Sequence, residues 1–367
     1  MLPTVAVFTD TYLPTVNGVT YTIQTWRRRW ADRGGRMPVV YPDAADYDPD
    51  DDEHPVRSVS FPFYEGYHAA VPSIPDAVAE CDPALVHTHT PFLLGLSGLQ
   101  FARRQGVPLV ASYHTPTAEY ADYIAEGWLH VPVERAARVY ERWYMNRAEV
   151  VVVPSEPARH HLREIGVRTP VEVVPNGVDI DAFAPVEGDA FRRQYDLGDG
   201  PLVGYTGRHG FEKGLELILD ATDGMDVTVV LGGDGPARSQ LEERAAEVDV
   251  DARFLGFLPR EELPAFYAAL DVFAFPSPVE TQGLVALEAN ACGTPVAAVD
   301  AGALSDTVVD GETGYRAPPG DADAFRAAIE RTLAEAETLR ETCLARRDEM
   351  SVDHAVETLA RVYDTVL

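Results

Sequence analysis

Lysine is almost missing from this chain: of its 30 basic residues, 29 are arginine and one, Lys213, is lysine. Positive charge is scarce altogether, because 59 Asp plus Glu give a formal net charge of −29 at pH 7. Nucleic acid is excluded as a partner, since phosphate backbones are held by positive fields on a scale absent here. Cys81, Cys292 and Cys343 are the three cysteines, with no C-x-x-C among them. That excludes a disulfide scaffold and a zinc site. No apolar run approaches the roughly 18 to 20 residues of a membrane-spanning helix. The chain enters Val5-Ala6-Val7-Phe8 almost at once, without a basic n-region or cleavage signal. A soluble, cytoplasmic protein without a signal peptide is therefore expected.

What is present is a folding sequence. At 367 residues and 46% hydrophobic, the chain can build two α/β domains that wear an acidic surface. An acidic, lysine-poor surface resembles proteins adapted to molar cytoplasmic salt, an analogy of composition. Against it Lys213 stands out, because a compact ammonium does what a planar guanidinium cannot. Charge is also uneven. Residues 1–175 carry 15 Arg against 22 acids, a net of −7, whereas 176–367 carry 15 basic residues against 37 acids, a net of −22.

The stretch Phe273–Pro295 organises the rest. Asp271–Phe275 reads as a buried strand stopped by Pro276 and Pro278, with Glu280 just beyond it. Thr281-Gln282-Gly283 then opens a helix, so Gly283, Leu284 and Val285 should present unpaired backbone amides. A helix start after a strand is a ready anion site, phosphate above all. Glu280 and Glu288 are eight residues apart, about 12 Å if the spacing were wholly helical. That suits one ligand with hydroxyls at both ends and phosphate between.

E-x7-E followed by ACGTPV resembles the family-four retaining glycosyltransferases, whose GT-B architecture is two Rossmann-like α/β domains facing a central cleft. The resemblance implies that Glu288 holds the ribose of a nucleotide sugar and Glu280 the transferred sugar, with the diphosphate over the amides of Gly283, Leu284 and Val285. Gly207-Arg208-His209-Gly210-Phe211-Glu212-Lys213-Gly214, after the strand Leu202–Thr206, resembles the family's G-R-x-x-x-E-K-G loop. Arg208 and Lys213 would put a forked cation and a point cation over the diphosphate. Phe254–Pro259, with Leu258, resembles the loop whose backbone meets the base.

The first half is less explicit. Gly18 follows the strand Val5–Phe8 at the start of a helix read as 20–33, and lets backbone approach phosphate closely. The resemblance assigns it to the donor diphosphate; a plain turn glycine would look the same. Trp26 and Trp30 share a helix face beside three arginines, which reads either as a surface lying on lipid and meeting the acceptor or as a packed pair with solvated arginines. Residues 117–148 repeat that alternative with Tyr120, Tyr123, Trp128, Tyr140, Trp143 and Tyr144 among Arg135, Arg138, Arg142 and Arg147. Asp43–Asp52 reads as an acidic loop, and Phe61–Pro75 as an aromatic lining for an acceptor entrance. His87-Thr88-His89 ends one strand and His114 the next, where open α/β sheets collect ligands. No third metal ligand stands near, and family members generally need none. His89 is expected at the acceptor, and the family's matching histidine puts His114 at the donor sugar.

The crossover is placed at Pro175-Asn176-Gly177-Val178-Asp179. The domains are then 1–175 on the acceptor side and 176–351 for the nucleotide sugar. Residues 321–346 read as helical, and a last helix within 352–367 returns to the first domain if the resemblance holds. No cofactor and no metal are expected, the nucleotide sugar being a substrate. The resulting expectation is a retaining hexosyltransferase, catalysed by His114, Arg208, Lys213 and Glu280. Its acceptor is a membrane lipid hydroxyl, which makes it peripheral on the inner face of the membrane. A transferase extending a soluble or lipid-linked glycan is the nearest alternative. A nucleotide-sugar epimerase or a non-catalytic binding module is the alternative of another class. No dinucleotide glycine fingerprint supports a dehydrogenase.

Overall fold

A computed structural model describes residues 2–44, 47–60, 68–114 and 130–367. The chain divides into two compact units, Met1–Asn176 with Ala355–Leu367, and Gly177–His354.

In the first unit the strands are β1 (Val5–Phe8), β2 (Val39–Pro42), β3 (Glu53–Val56), β4 (Ser58–Ser60), β5 (His68–Ala70), β6 (Leu85–Thr88), β7 (Leu109–Ser112), β8 (Val150–Val153) and β9 (Val171–Val173). Seven of them form a parallel sheet in the order β3-β2-β1-β6-β7-β8-β9, while β4 and β5 pair antiparallel. Helices cover both faces of such a sheet, so its strands read as continuous apolar runs, and β1 and β8 are buried at every position. The helices include α1 (Gly18–Asp32), α2 (Asp76–Ala79), α3 (Leu93–Gln105), α4 (His130–Met145) and α5 (Glu156–Glu164). Asn17 caps α1 by accepting from the amide of Thr20 at 2.9 Å, and Ser155 caps α5 in the same way. The order of strands reverses between β1 and β6, and the carboxyl ends of those strands are the topological switch point of this sheet.

One expectation changes here. Trp26 and Trp30 do not lie on a lipid-facing or acceptor-facing surface. Both indoles are buried, with Nε1 of Trp26 donating to the Asn176 carbonyl at 2.7 Å and Nε1 of Trp30 to that of Pro3 at 2.9 Å. Arg27 between them turns inward to the buried carboxylate of Glu53 at 2.7 Å, where Tyr12 and Tyr47 also donate. The cluster is core packing with an internal ion pair. The aromatic segment expected at an acceptor entrance falls for the most part on residues 61–67, and Tyr120, Tyr123 and Trp128 fall within 115–129; both stretches lie outside the described residues.

The second unit repeats the plan. It begins with α6 (Asp189–Gln194), followed by β10 (Leu202–Thr206), α7 (Glu216–Thr222), β11 (Thr228–Gly232), α8 (Arg238–Ala245), β12 (Asp251–Gly256) and α9 (Leu263–Ala269). It continues with β13 (Val272–Phe275), α10 (Leu284–Ala291), β14 (Val296–Val299), α11 (Leu304–Thr307), β15 (Gly314–Ala317), α12 (Ala322–Ala334), α13 (Ala336–Ala345) and the start of α14 (Val352–Asp364). The six-stranded parallel sheet runs β12-β11-β10-β13-β14-β15, and it reverses between β10 and β13. The helical stretch expected over 321–346 is two helices broken at Glu335, which leaves helical geometry at φ −112°.

The first turn of α3 shows how the first sheet's carboxyl edge is held. Phe92, at the cap position, offers no side-chain acceptor. Asp10, from beyond β1, takes that role: one carboxylate oxygen accepts from the amide of Leu94 at 2.9 Å, the other from the Thr90 hydroxyl at 2.6 Å. Replacing it leaves buried donors unpaired. Asp10→Ala is expected to lose roughly 2 to 4 kcal/mol in chemical denaturation of the first unit, and Asp10→Asn clearly less.

Candidate functional site

In the second unit, the segments after β10 and β13 bring together residues 67 positions apart in sequence. Beyond β10, Gly207 and Gly210 lead into a 3-10 turn, Phe211–Lys213, closed by Gly214 in the left-handed region at φ 61°. The turn aims the sole lysine across the switch point. Lys213 Nζ lies 2.7 Å from Glu280 Oε1, with the two side chains 20% and 15% exposed. Arg208 in the same loop pairs with Glu212. Both cations therefore stand beside carboxylates, and a phosphate would displace or share those partners.

α10 begins beside them without a side-chain cap. Gly283 adopts φ 76°, and a Cβ there would lie 2.9 Å from both Leu304 Cδ2 and Phe275 Cε1. Only glycine fits, and the turn leaves the amides of Leu284 and Val285 at the uncapped end of the helix. Two cations, their two carboxylate partners and a helix start thus converge at the carboxyl ends of β10 and β13.

Glu288 lies on the inner side of α10, only 4% exposed. Tyr267 donates to its Oε2 at 3.0 Å, and Arg260 Nη2 stands 3.1 Å from its Oε1. Burial pushes the Glu288 carboxyl above its ordinary range, while Arg260 and Tyr267 pull the other way. Leu258 is buried with its side chain against Gly232. Whatever it offers a ligand comes from its backbone.

In the first unit, the ends of β6 and β7 gather three histidines. His89 Nδ1 and His114 Nε2 are 2.9 Å apart, their rings stacked at 9°. His87 bonds Tyr363 of α14 through Nδ1 at 2.6 Å and Ser112 through Nε2 at 2.8 Å, with its ring 4.3 Å from that of His89. Trp26 packs on His87 and His89. His89, expected at an acceptor, is itself buried and placed to orient His114. Gly18 is the first residue of α1, directly after the Asn17 cap. Sequence reasoning missed Arg260, Tyr267 and Tyr363. The signal for Arg260 was its place directly after Leu258-Pro259. Tyr267 and Tyr363 carry no motif, because each acts through a fold contact distant in sequence. Among the described residues, no group of three or more His, Cys, Asp or Glu could hold a metal ion.

Comparison with known proteins identifies the family. Residues 16–182 match the family model "Glycosyltransferase Family 4", and residues 188–345 match "Glycosyl transferases group 1". A GDP-mannose-dependent alpha-mannosyltransferase of Mycolicibacterium smegmatis is 34% identical over 89% of this chain and 86% of its own length. An alpha-monoglucosyldiacylglycerol synthase of Streptococcus pneumoniae is 29% identical over 80% of this chain and 70% of its own. Among solved structures, a sucrose-phosphate synthase from Thermosynechococcus elongatus superposes with TM-score 0.80 at 23% identity, covering 99% of this chain and 98% of its own. Anabaena HepE in complex with UDP superposes with TM-score 0.79 at 19% identity, over 98% and 99%. The chain belongs to the family-4 glycosyltransferases, with the GT-B fold.

Burial lowers the pKa of all three histidines: His87 to about 3, His114 to about 4, and His89 well below the ordinary value. The set is neutral at pH 7. The unfolded chain takes up these protons first, near pH 6.5, so the stability they contribute is complete above that pH and lost as pH falls towards the folded values. The slope is about 1.4 kcal/mol per pH unit for each histidine. Thermal unfolding of the first unit should fall steeply between pH 6.5 and 5, and His87→Gln should flatten that dependence.

Proposed function

We propose that this protein transfers a hexose, with retention, from a nucleotide sugar to a hydroxyl of a membrane lipid. The observation that carries the reading is the Lys213–Glu280 pair at 2.7 Å, set at the switch point of the second sheet beside an uncapped helix start. In this reading the donor diphosphate displaces the carboxylate partners of Arg208 and Lys213, and its oxygens also meet the amides of Gly283, Leu284 and Val285. Glu280 then turns to the hydroxyls of the sugar and Glu288 to those of the ribose. Gly18 and His114 belong to the donor from the first unit, with His114 neutral and able to bond a sugar hydroxyl.

The chemistry follows from charge placement. The bond between the anomeric carbon and the phosphate oxygen breaks, and the two cations neutralise the departing diphosphate. The acceptor oxygen bonds to the same face of the anomeric carbon. Its proton passes to the leaving phosphate oxygen, so no side chain need act as base. Positioning supplies the rest of the rate.

Two observations support a lipid acceptor over a soluble glycan. Relatives whose names include a lipid are the monoglucosyldiacylglycerol synthase and a phosphatidylinositol monomannoside mannosyltransferase of Mycolicibacterium smegmatis. α4 carries Trp143, 40% exposed, with Val139 also exposed, beside the outward-facing Arg135, Arg138 and Arg142. Aromatic and apolar side chains flanked by arginine are the make-up of a helix lying at an anionic membrane surface. No helix of the described residues is long and apolar enough to cross a membrane.

Purified protein in high KCl, given UDP-, GDP- and ADP-sugars with total polar lipid, is expected to yield one glycosylated lipid and free nucleoside diphosphate. Lys213→Ala and Glu280→Ala should each lower kcat/KM by about 100-fold or more. Nucleotide release with a soluble glycan alone would replace the lipid acceptor; an isomerised donor would replace the transferase by an epimerase. In vesicle sedimentation the protein should bind anionic vesicles and not zwitterionic ones, and Trp143→Ala should lose most of the bound fraction.

A further inference from the structure

Glu288 raises a physical problem that its proposed role does not solve. A carboxylate this deeply buried is costly to keep charged, and a protonated carboxyl accepts hydroxyl hydrogens poorly. One of its oxygens bonds the Tyr267 hydroxyl, a neutral donor; the other faces Arg260. Arg260 opens the 3-10 turn Arg260–Glu262, directly after Leu258-Pro259. Its guanidinium also lies over the ring of Phe183, 4.8 Å from the centroid, and Phe183 is a buried core residue. The carbonyl of Phe183 in turn accepts from Arg347 at 3.3 Å. The guanidinium is thus held on one side by an aromatic face and on the other by the carboxylate, which fixes its direction.

We propose that Arg260 is the positioning residue of the nucleotide end of the site: it keeps Glu288 ionised and oriented, so that the free lone pairs of the carboxylate receive the ribose hydroxyls of the donor. This rests on the reading of Glu288 as the ribose ligand. Arg260 itself touches neither phosphate nor sugar in this assignment.

The surroundings of Glu288 leave the charge to Arg260. Tyr267 on α9 is neutral, since burial raises its hydroxyl far above the ordinary range. Cys292, one turn further along, is pushed up to about 12 and is also neutral near pH 7. Arg340 and Arg347 from the following helical turns act on Cys292. Arg260 is the guanidinium bonded to the Glu288 carboxylate itself. Without it the carboxyl, already raised by burial, binds a proton at higher pH, and nucleotide affinity becomes pH-dependent in a direction that follows from the sign: weaker as pH falls.

The test is calorimetric binding of UDP and GDP, and of inorganic pyrophosphate as a probe without ribose, between pH 5.5 and 8.5. The proteins are wild type, Arg260→Gln, Arg260→Lys, Glu288→Gln and the double Gln variant. Wild type is expected to bind its nucleotide with little pH dependence above pH 6. Arg260→Gln should bind about tenfold more weakly at pH 6 and recover towards pH 8.5, while Arg260→Lys stays within about threefold and nearly flat. Pyrophosphate affinity should be the same in all, and Arg260→Gln should add nothing in the Glu288→Gln background. Wild-type affinity in Arg260→Gln, a loss without pH dependence, or an equal loss for pyrophosphate would each overturn the proposal, the last by making Arg260 a phosphate ligand. Full nucleotide affinity in Glu288→Gln would instead remove the ribose reading beneath it. Should Arg260→Gln not fold, Arg260→Lys decides: a pH-independent loss beyond tenfold there means that guanidinium shape rather than charge is what the site uses, and the proposal fails.

Discussion

The ion pair of Lys213 with Glu280 ties the ends of β10 and β13, the two strands between which the second sheet reverses its order. A doubly wound parallel sheet has few places for such a pair. Both its faces are covered, and β10 and β13 are buried at every position. Polar chemistry is confined to the carboxyl edge, and there the reversal opens a gap because the loops on its two sides diverge. The positive-φ glycines at 207, 214 and 283 let two loops turn sharply into that gap, and the side chains of the pair meet across it. A charged pair at such a place is a weak stabiliser, since desolvation cancels much of its attraction. It is better understood as a stored arrangement of charge whose partner can be exchanged.

The first sheet uses the equivalent place differently. Where the second unit sets cations and carboxylates, the first sets three buried, neutral imidazoles stacked between Trp26 and the ends of β6 and β7. A neutral histidine offers one donor and one acceptor, which matches a sugar hydroxyl and is indifferent to phosphate charge. His87 joins that set to Tyr363, so a helix from the far end of the sequence holds the first ring of the stack in place. On one topology the two units thus place different side-chain chemistry at the carboxyl edge of the sheet: ion pairs in the second and neutral imidazoles in the first.

Much of this was legible in the sequence, and the reasons differ by residue. Val150–Val153 and Val5–Phe8 announce buried strands because parallel strands must be apolar on both faces. Ser155 announces a helix start by its side-chain acceptor. Lys213 announced itself by rarity. Strand β3, Glu53-His54-Pro55-Val56, gave no such signal: it lies at the sheet edge, where a proline costs no ladder bond and mixed polarity is tolerated. Trp26 and Trp30 were ambiguous because an aromatic pair one turn apart marks a core face and a membrane face alike. Only the Asn176 and Pro3 carbonyls, which receive their indole hydrogens, separate the two. Arg260 carried only a positional signal, directly after Leu258-Pro259, since its meaning lies in Glu288 and Phe183, 28 and 77 positions away.

Why position 213 carries lysine follows, on the proposed reading, from the second role of its partner Glu280, which Glu212, the partner of Arg208, does not have. Elsewhere the chain uses arginine in surface pairs such as Arg253 with Asp251 and Arg36 with Asp52, where a planar fork grips both oxygens of one carboxylate. Such pairs contribute little, and nothing is lost if the grip is rigid. On the proposed reading, the partner of Lys213 changes when a phosphate arrives. An ammonium on a flexible stem has three donors that can rotate, and it can turn from Glu280 to a phosphate oxygen without rebuilding a bidentate contact. A guanidinium in the same place would hold Glu280 in a fixed fork and resist release. On the proposed reading Glu280 is needed elsewhere in that same instant, at the hydroxyls of the sugar. The residue that holds it before the donor binds therefore has to be the one that lets go most easily.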